Sequence, residues 1–215
     1  MADFEGMAKA LQSGKAAEVE RLVKEALAEG MNAERILKEG LIAGMNVIAV
    51  KFRNNEVFVP EVLIAARAMK SGLTQLEPVL AKAGFEPIGK VVFCTVKGDL
   101  HDIGKNLVIM MLKGAGFEVE DLGIDKSGEQ VVAKIKEKGY KMVGLSALLT
   151  TTMPALKEVV DAFKAAGIRD QVRIAIGGAP VTQAYADEIG ADGYADDAAS
   201  AVDVFKRFAL ELAKK

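Results

Sequence analysis

Between residues 3 and about 84, apolar side chains recur only at helical spacing. Val19, Leu22, Val23, Ala26 and Leu27 follow a period of about 3.6 residues, and Gly30 ends the run. Asn32 is placed to cap a further helix, whose apolar positions include Ile36, Leu37, Leu41, Met45, Ile48 and Phe52. The polar stretch 53–56 breaks that pattern. Pro60 suits the first turn of a helix that carries Val62, Ala65, Met69, Leu73, Leu76 and Leu80 along one stripe. The spacing predicts four helices with short connections, a small bundle. Pro87, between Gly84 and Gly89, marks a break. Beyond it, short β-branched runs at 90–96, 117–122, 141–146, 172–176 and 192–195 alternate with helical patterns at 103–114, 128–138, 154–166, 182–189 and 198–213. Ser127 and Gln130 form a capping box at the head of the second of these helices. Such alternation predicts a parallel sheet with helices on both faces and right-handed crossovers. The fold class is α/β: a four-helix bundle domain over 1–86, then a doubly wound, five-stranded domain over 87–215.

Composition narrows the function. The chain's 215 residues suffice for one large or two small cores. Its 28 basic and 30 acidic side chains leave a net charge of −2, with no basic surplus for nucleic acid. The acidic opening Met1-Ala2-Asp3-Phe4-Glu5 does not read as a secretory signal. No apolar run approaches the roughly 20 residues of a membrane span. Cys94 is the single cysteine, lies mid-strand, and reads as a small buried hydrophobe in a reducing, cytoplasmic protein.

The candidate chemistry sits in the loop 97–106, between the first strand of the sheet and its first helix. It holds His101, the only histidine, with Asp99 two residues before it and Asp102 immediately after. Gly98 and Gly104 flank it and allow a tight turn or a close approach. This loop leaves the carboxyl edge of the sheet, where open α/β sheets bind ligands. On position alone, a lone histidine is as well explained as structural. The hydroxyl-rich stretch 146–152 follows the third strand, Gly177-Gly178 the fourth, and Asp196-Asp197-Ala198 the fifth. Taken singly, Thr150 to Thr152 read as helix caps and Gly177-Gly178 as a tight turn. Their convergence on one edge is what points to a ligand.

Taken together, these pieces resemble the cobalamin-binding signature Asp-x-His-x-x-Gly, Ser-x-Leu, Gly-Gly. Here it stands as Asp99-Leu100-His101-Asp102-Ile103-Gly104, Ser146-Ala147-Leu148 and Gly177-Gly178, with gaps of 41 and 28 residues. The helical half, through Gly44–Phe52, 57–62 and 65–70, is similar to the bundle that caps methylcobalamin in methionine synthase. A bundle followed by this Rossmann-like, flavodoxin-like domain is the plan of the stand-alone corrinoid proteins of methyltransferase systems. The resemblance implies cobalamin with its own base displaced and its tail buried in the α/β domain. It implies His101 as the lower axial ligand of cobalt, oriented by Asp99, which Thr152 holds where the family usually has serine. Gly98, Asp102, Ile103 and Gly104 belong to the same loop. Ser146, Leu148 and Thr150 are assigned to the tail, with Gly177, Gly178 and Ala198 giving it room. Phe52, Val59 and Val62 match residues that cover the upper face, Val59 standing for a usual leucine. Without the resemblance, those three read as ordinary bundle core.

The function implied is a corrinoid methyl carrier. Cob(I)alamin accepts a methyl group from a substrate-specific methyltransferase, and methylcob(III)alamin gives it to a second one that serves tetrahydrofolate or coenzyme M. The chain is expected to turn over nothing alone. Its partners are those two proteins, with a reductive activase as a further one, and neither nucleic acid nor membrane. The donor stays open among methanol, methylamine, glycine betaine and aryl methyl ethers. Three alternatives remain: the cobalamin subunit of an adenosylcobalamin mutase, a cobalamin-dependent sensor, and a doubly wound domain for another ligand such as a flavin.

Overall fold

Helical spacing and capping chemistry account for the first part of the chain. The computed structural model describes residues 3–214. Asp3 caps α1 (Phe4–Gln12) by accepting the Gly6 N–H at 2.7 Å. After α2 (Ala16–Ala28), Asn32 caps α3 (Ala33–Arg35) by accepting the Arg35 N–H at 3.1 Å. A π-helical stretch, Ile36–Ile42, joins α3 to α4 (Ala43–Arg53). α5 (Val59–Lys82) carries Pro60 in its first turn, where Glu61 reaches back to accept the Phe58 N–H at 2.9 Å.

The helix expected from Asn32 to Phe52 is thus continuous but not α-helical throughout. Its buried residues Leu37, Leu41 and Met45 are spaced by four. On an α-helix each such step drifts about 40° around the axis. One wide π turn reverses the drift and keeps all three on the buried side. Gly40 and Gly44 lie on this side too. A Cβ on Gly40 would stand 2.4 Å from the Met7 sulfur, and one on Gly44 3.1 Å from the Ala8 carbonyl oxygen. α1 packs closer there than a side chain would permit.

The chain divides into two compact units, the first of the residues up to Pro87 with Gly114–Gly116, the second of Ile88–Lys113 and the residues from Phe117 on. The second unit is built on five parallel strands: β1 (Lys90–Thr95), β2 (Glu118–Asp121), β3 (Met142–Ser146), β4 (Arg173–Gly177) and β5 (Gly193–Ala195), in the order β2-β1-β3-β4-β5. Between and after them run α6 (Ile103–Gly114), α7 (Gly128–Lys138), α8 (Met153–Ala165), α9 (Gln183–Ile189) and α10 (Ala198–Ala213). Strands and helices fall within a residue or two of the sequence expectations. The Ser127–Gln130 capping box forms in both directions.

Alternation along the strands sorts the core. Val92, Cys94, Val143, Leu145, Ile174 and Ile176 face α7, α8 and α9. On the opposite side, Phe93 and Phe117 meet Phe205 of α10, which stacks edge-on with Phe208. Each wholly buried aromatic, such as Phe163 or Phe205, contributes about 1.5–3 kcal/mol. Strand order reverses between β1 and β3, so a crevice opens at their carboxyl ends. The loops that leave those two strands carry the candidate site.

Candidate functional site

The loop after β1 turns at Gly98, whose φ of +81° lies in the left-handed region that glycine adopts without strain. Asp99 follows and is completely buried. A buried carboxylate needs donors on both oxygens. Oδ1 accepts the His101 backbone N–H at 3.0 Å and faces His101 Nδ1 at 2.7 Å. Oδ2 accepts the Leu148 N–H and the Thr152 hydroxyl, each at 2.7 Å. Leu148 and Thr152 belong to the loop after β3, so Asp99 bridges the crevice between β1 and β3. Burial works to raise the Asp99 pKa; the His101, Leu148 and Thr152 donors outweigh it and hold the carboxyl well below the usual carboxylate range.

An ionised Asp99 fixes the imidazole. Nδ1 carries the proton it donates, and Nε2 is left with a free lone pair. The His101 side chain remains 50 % exposed. Its backbone is tied from below, because the buried Thr95 hydroxyl at the end of β1 donates to the His101 carbonyl at 2.8 Å. The result is one nitrogen donor, oriented and presented outward.

Around it the two bridged loops carry apolar side chains into the open: Leu100 at 67 % exposure, Ile103 at 78 %, Leu148 and Leu149. Exposed apolar side chains gathered on the loops around one oriented nitrogen donor fit a binding face. Gly104, in the first turn of α6, adds a telling vacancy. A Cβ there would meet nothing within 4 Å, and the backbone is not left-handed, so nothing in the chain itself demands glycine.

The remaining residues read from the sequence take distinct places. Ser146 ends β3 and pairs in register with Thr95 of β1 and Gly177 of β4, on the same sheet edge. Gly177 and Gly178 have a packing reason of their own. A Cβ on Gly177 would lie 2.8 Å from the Ala195 carbonyl oxygen, and one on Gly178, at φ +126°, 1.8 Å from that of Ala147. Ala198 is buried at the start of α10, which Asp197 caps. Thr150 is exposed. Thr152 stands at the head of α8 yet spends its hydroxyl on Asp99 rather than on the helix. Asp102 accepts from Asn106 at 3.0 Å. In the helical unit, Phe52 lies in the last turn of α4 and Val59 opens α5, both half-buried, while Val62 is wholly buried.

Sequence reasoning missed several supports. Lys105 is 2 % exposed, and its ammonium meets both oxygens of Asp121 at 2.7 and 2.8 Å and Asn106 Oδ1 at 2.7 Å. This fixes the head of α6 to the end of β2. A lysine beside the apolar face of a helix was the available signal. Thr95 and Asp125 gave none.

Among the described residues no group of three or more His, Cys, Asp or Glu gathers to hold an ion.

Two family models, each described as a B12 binding domain, match residues 89–203 and residues 3–77. A corrinoid protein of Desulfitobacterium hafniense is 41 % identical over 207 residues, 95 % of this chain and 96 % of that protein. Dimethylamine corrinoid protein 3 of Methanosarcina mazei is 46 % identical over 156 residues, 72 % of this chain and 93 % of that one. Among solved structures, a cobalamin-binding protein from D. hafniense superposes with a TM-score of 0.81 at 33 % identity, covering 97 % of this chain and 99 % of that one. A chain of the methanol:cobalamin methyltransferase complex MtaBC from Methanosarcina barkeri superposes with a TM-score of 0.86 at 31 % identity, covering 96 % and 79 %.

Proposed function

Because the chain belongs to the B12-binding family of corrinoid proteins, we propose that it carries methyl groups on cobalamin between two methyltransferases. The observation that carries this reading is the Asp99-held imidazole, with Nε2 free and facing outward among exposed apolar side chains. Bound cobalamin supplies a cobalt that takes up and releases a methyl group. The protein supplies the rest.

His101 Nε2 is the atom that would hold the cobalt. Asp99 fixes the tautomer and orientation of the imidazole, and the Leu148 N–H and Thr152 hydroxyl keep Asp99 ionised and in place. Leu100, Ile103, Leu148 and Leu149 offer apolar contact to a flat ring, and Gly104 leaves it space. Ser146 and Thr150, with Gly177, Gly178 and Ala198, take the nucleotide tail. Phe52, Val59 and Val62 enter this reading on the resemblance alone.

One partner is a methyltransferase that delivers the methyl group from a small donor, such as a methylated amine or methanol. The other passes it to tetrahydrofolate or coenzyme M, and a reductive activase restores cobalt after stray oxidation. No helix among the described residues is long and apolar enough to cross a membrane, and the free, buried Cys94 supports a cytoplasmic site of action. The mutase alternative is disfavoured by the second family match, over residues 3–77.

The test mixes cobalamin-loaded protein with purified candidate methyltransferases and isotopically labelled methyl donors. Label is expected on the cobalamin only when a donor methyltransferase is present, and to leave only when an acceptor enzyme is added. Turnover of a methyl donor by the protein alone contradicts the carrier reading.

A further inference from the structure

We propose that Asp125, in the loop between β2 and α7, is a positioning residue that holds the His101 loop at its working height. The proposal rests on the reading of His101 as the cobalt ligand. Asp125 lies outside all three motifs of the signature and 27 residues from its partner in the histidine loop. Its carboxylate Oδ1 accepts the Gly98 N–H at 2.8 Å. Its own N–H donates to the Asp99 carbonyl at 3.2 Å. One residue therefore grips the peptide groups on both sides of the Gly98–Asp99 step.

The grip is rigid for two reasons. The segment that bears Asp125 is sewn to the end of β1, with Thr95 N–H donating to Gly123 O at 3.0 Å and Lys126 N–H to Thr95 O at 3.1 Å. Asp125 itself has φ +54°, in the left-handed region that aspartate and asparagine tolerate better than most residues. That turn lets the N–H and the carboxylate of one residue both reach the histidine loop.

From the β3 side, Leu148 and Thr152 hold Asp99 Oδ2. From the β2 side, Asp125 holds the Asp99 backbone, and Asp121 holds Lys105 at the loop's exit. The imidazole hangs from Asp99 Oδ1 between these supports. When the Asp125 carboxylate lets go of the Gly98 N–H, the turn before Asp99 loosens, and the imidazole that hangs from Asp99 moves with it.

Two variants separate the parts of this account. Asp125→Gly removes the carboxylate that holds the Gly98 N–H, keeps the backbone N–H on the Asp99 carbonyl, and leaves the left-handed turn free of strain. Asp125→Asn keeps both an acceptor oxygen and a residue suited to the turn. Amide exchange at Gly98 is measured by NMR without cofactor. Then, in the cobalamin-loaded Co(II) form, electron paramagnetic resonance gives the ratio of histidine-on to histidine-off cobalt. In Asp125→Gly, faster Gly98 exchange is expected, together with a fall in the ratio of about fivefold, the factor that goes with one net hydrogen bond. Asp125→Asn is expected near wild type in both. An unchanged ratio in Asp125→Gly overturns the proposal, as does an equal fall in both variants. A wild-type protein with no histidine-nitrogen splitting overturns the cobalt-ligand reading instead, and Gly98 exchange then decides the clamp on its own.

Discussion

Asp99 meets four donors with the four lone pairs of a carboxylate, and that match sets what substitutions do. An amide at this position keeps only one acceptor oxygen and turns its own N–H groups on the remaining donors. Asp99→Asn is expected to destabilise the cofactor-free protein by about 2–4 kcal/mol. Thr152→Ala removes one donor of four and is expected to cost about 1–2 kcal/mol, with Thr152→Ser near wild type. Urea unfolding of the three variants checks this order. The pH dependence follows from the depressed Asp99 pKa. The stabilisation is complete above the ordinary value of 3.8 and fades as pH falls below it toward the folded value. The difference in unfolding free energy between wild type and Asp99→Asn is therefore expected to shrink as pH falls below about 4. A difference that fails to shrink below about pH 4 would contradict an ionised Asp99.

Among the elements, the glycines at the carboxyl ends of the strands fall into two kinds. Gly178 is required by the chain itself, through φ +126° and the approach of the Ala147 carbonyl. Gly178→Ala is expected to destabilise the cofactor-free protein by more than about 3 kcal/mol. Gly104 is not so required. Gly104→Ala is expected to leave the stability of the cofactor-free protein unchanged or raise it by up to about 1 kcal/mol, through better helix propensity. The same change is expected to weaken cobalamin binding by about tenfold or more, since the added methyl fills space kept for the ring. Urea unfolding and an absorbance titration with cobalamin separate the two effects. Unchanged cobalamin affinity in Gly104→Ala would remove the steric role given to this glycine.

The same elements divide what was legible in the sequence from what was not. The strand–loop–helix context of His101, the capping box at Ser127 and the helical stripes were readable because each is a contiguous string with its own period. The π turn was not, because an apolar spacing of four fits a drifting α-helix as well as an underwound one. The supports of Asp99 and Gly98 lie 27, 49 and 53 residues from their partners. One of them is a backbone N–H, which no side-chain type announces. Thr152 was reached through the resemblance, whereas Thr95, Lys105 and Asp125 needed the folded chain.

The whole molecule is that of a carrier: a protein with one oriented metal donor that works only in company. Central to it is that His101 binds the cobalt of cobalamin. The sequence makes this claim unusually easy to test, because His101 is the only histidine in the chain. The measurement is electron paramagnetic resonance of the cobalamin-loaded Co(II) protein, prepared once with natural histidine and once with nitrogen-15 histidine. A triplet splitting from the histidine nitrogen is expected, and it becomes a doublet on labelling. A splitting that ignores the label, or none at all, would contradict it.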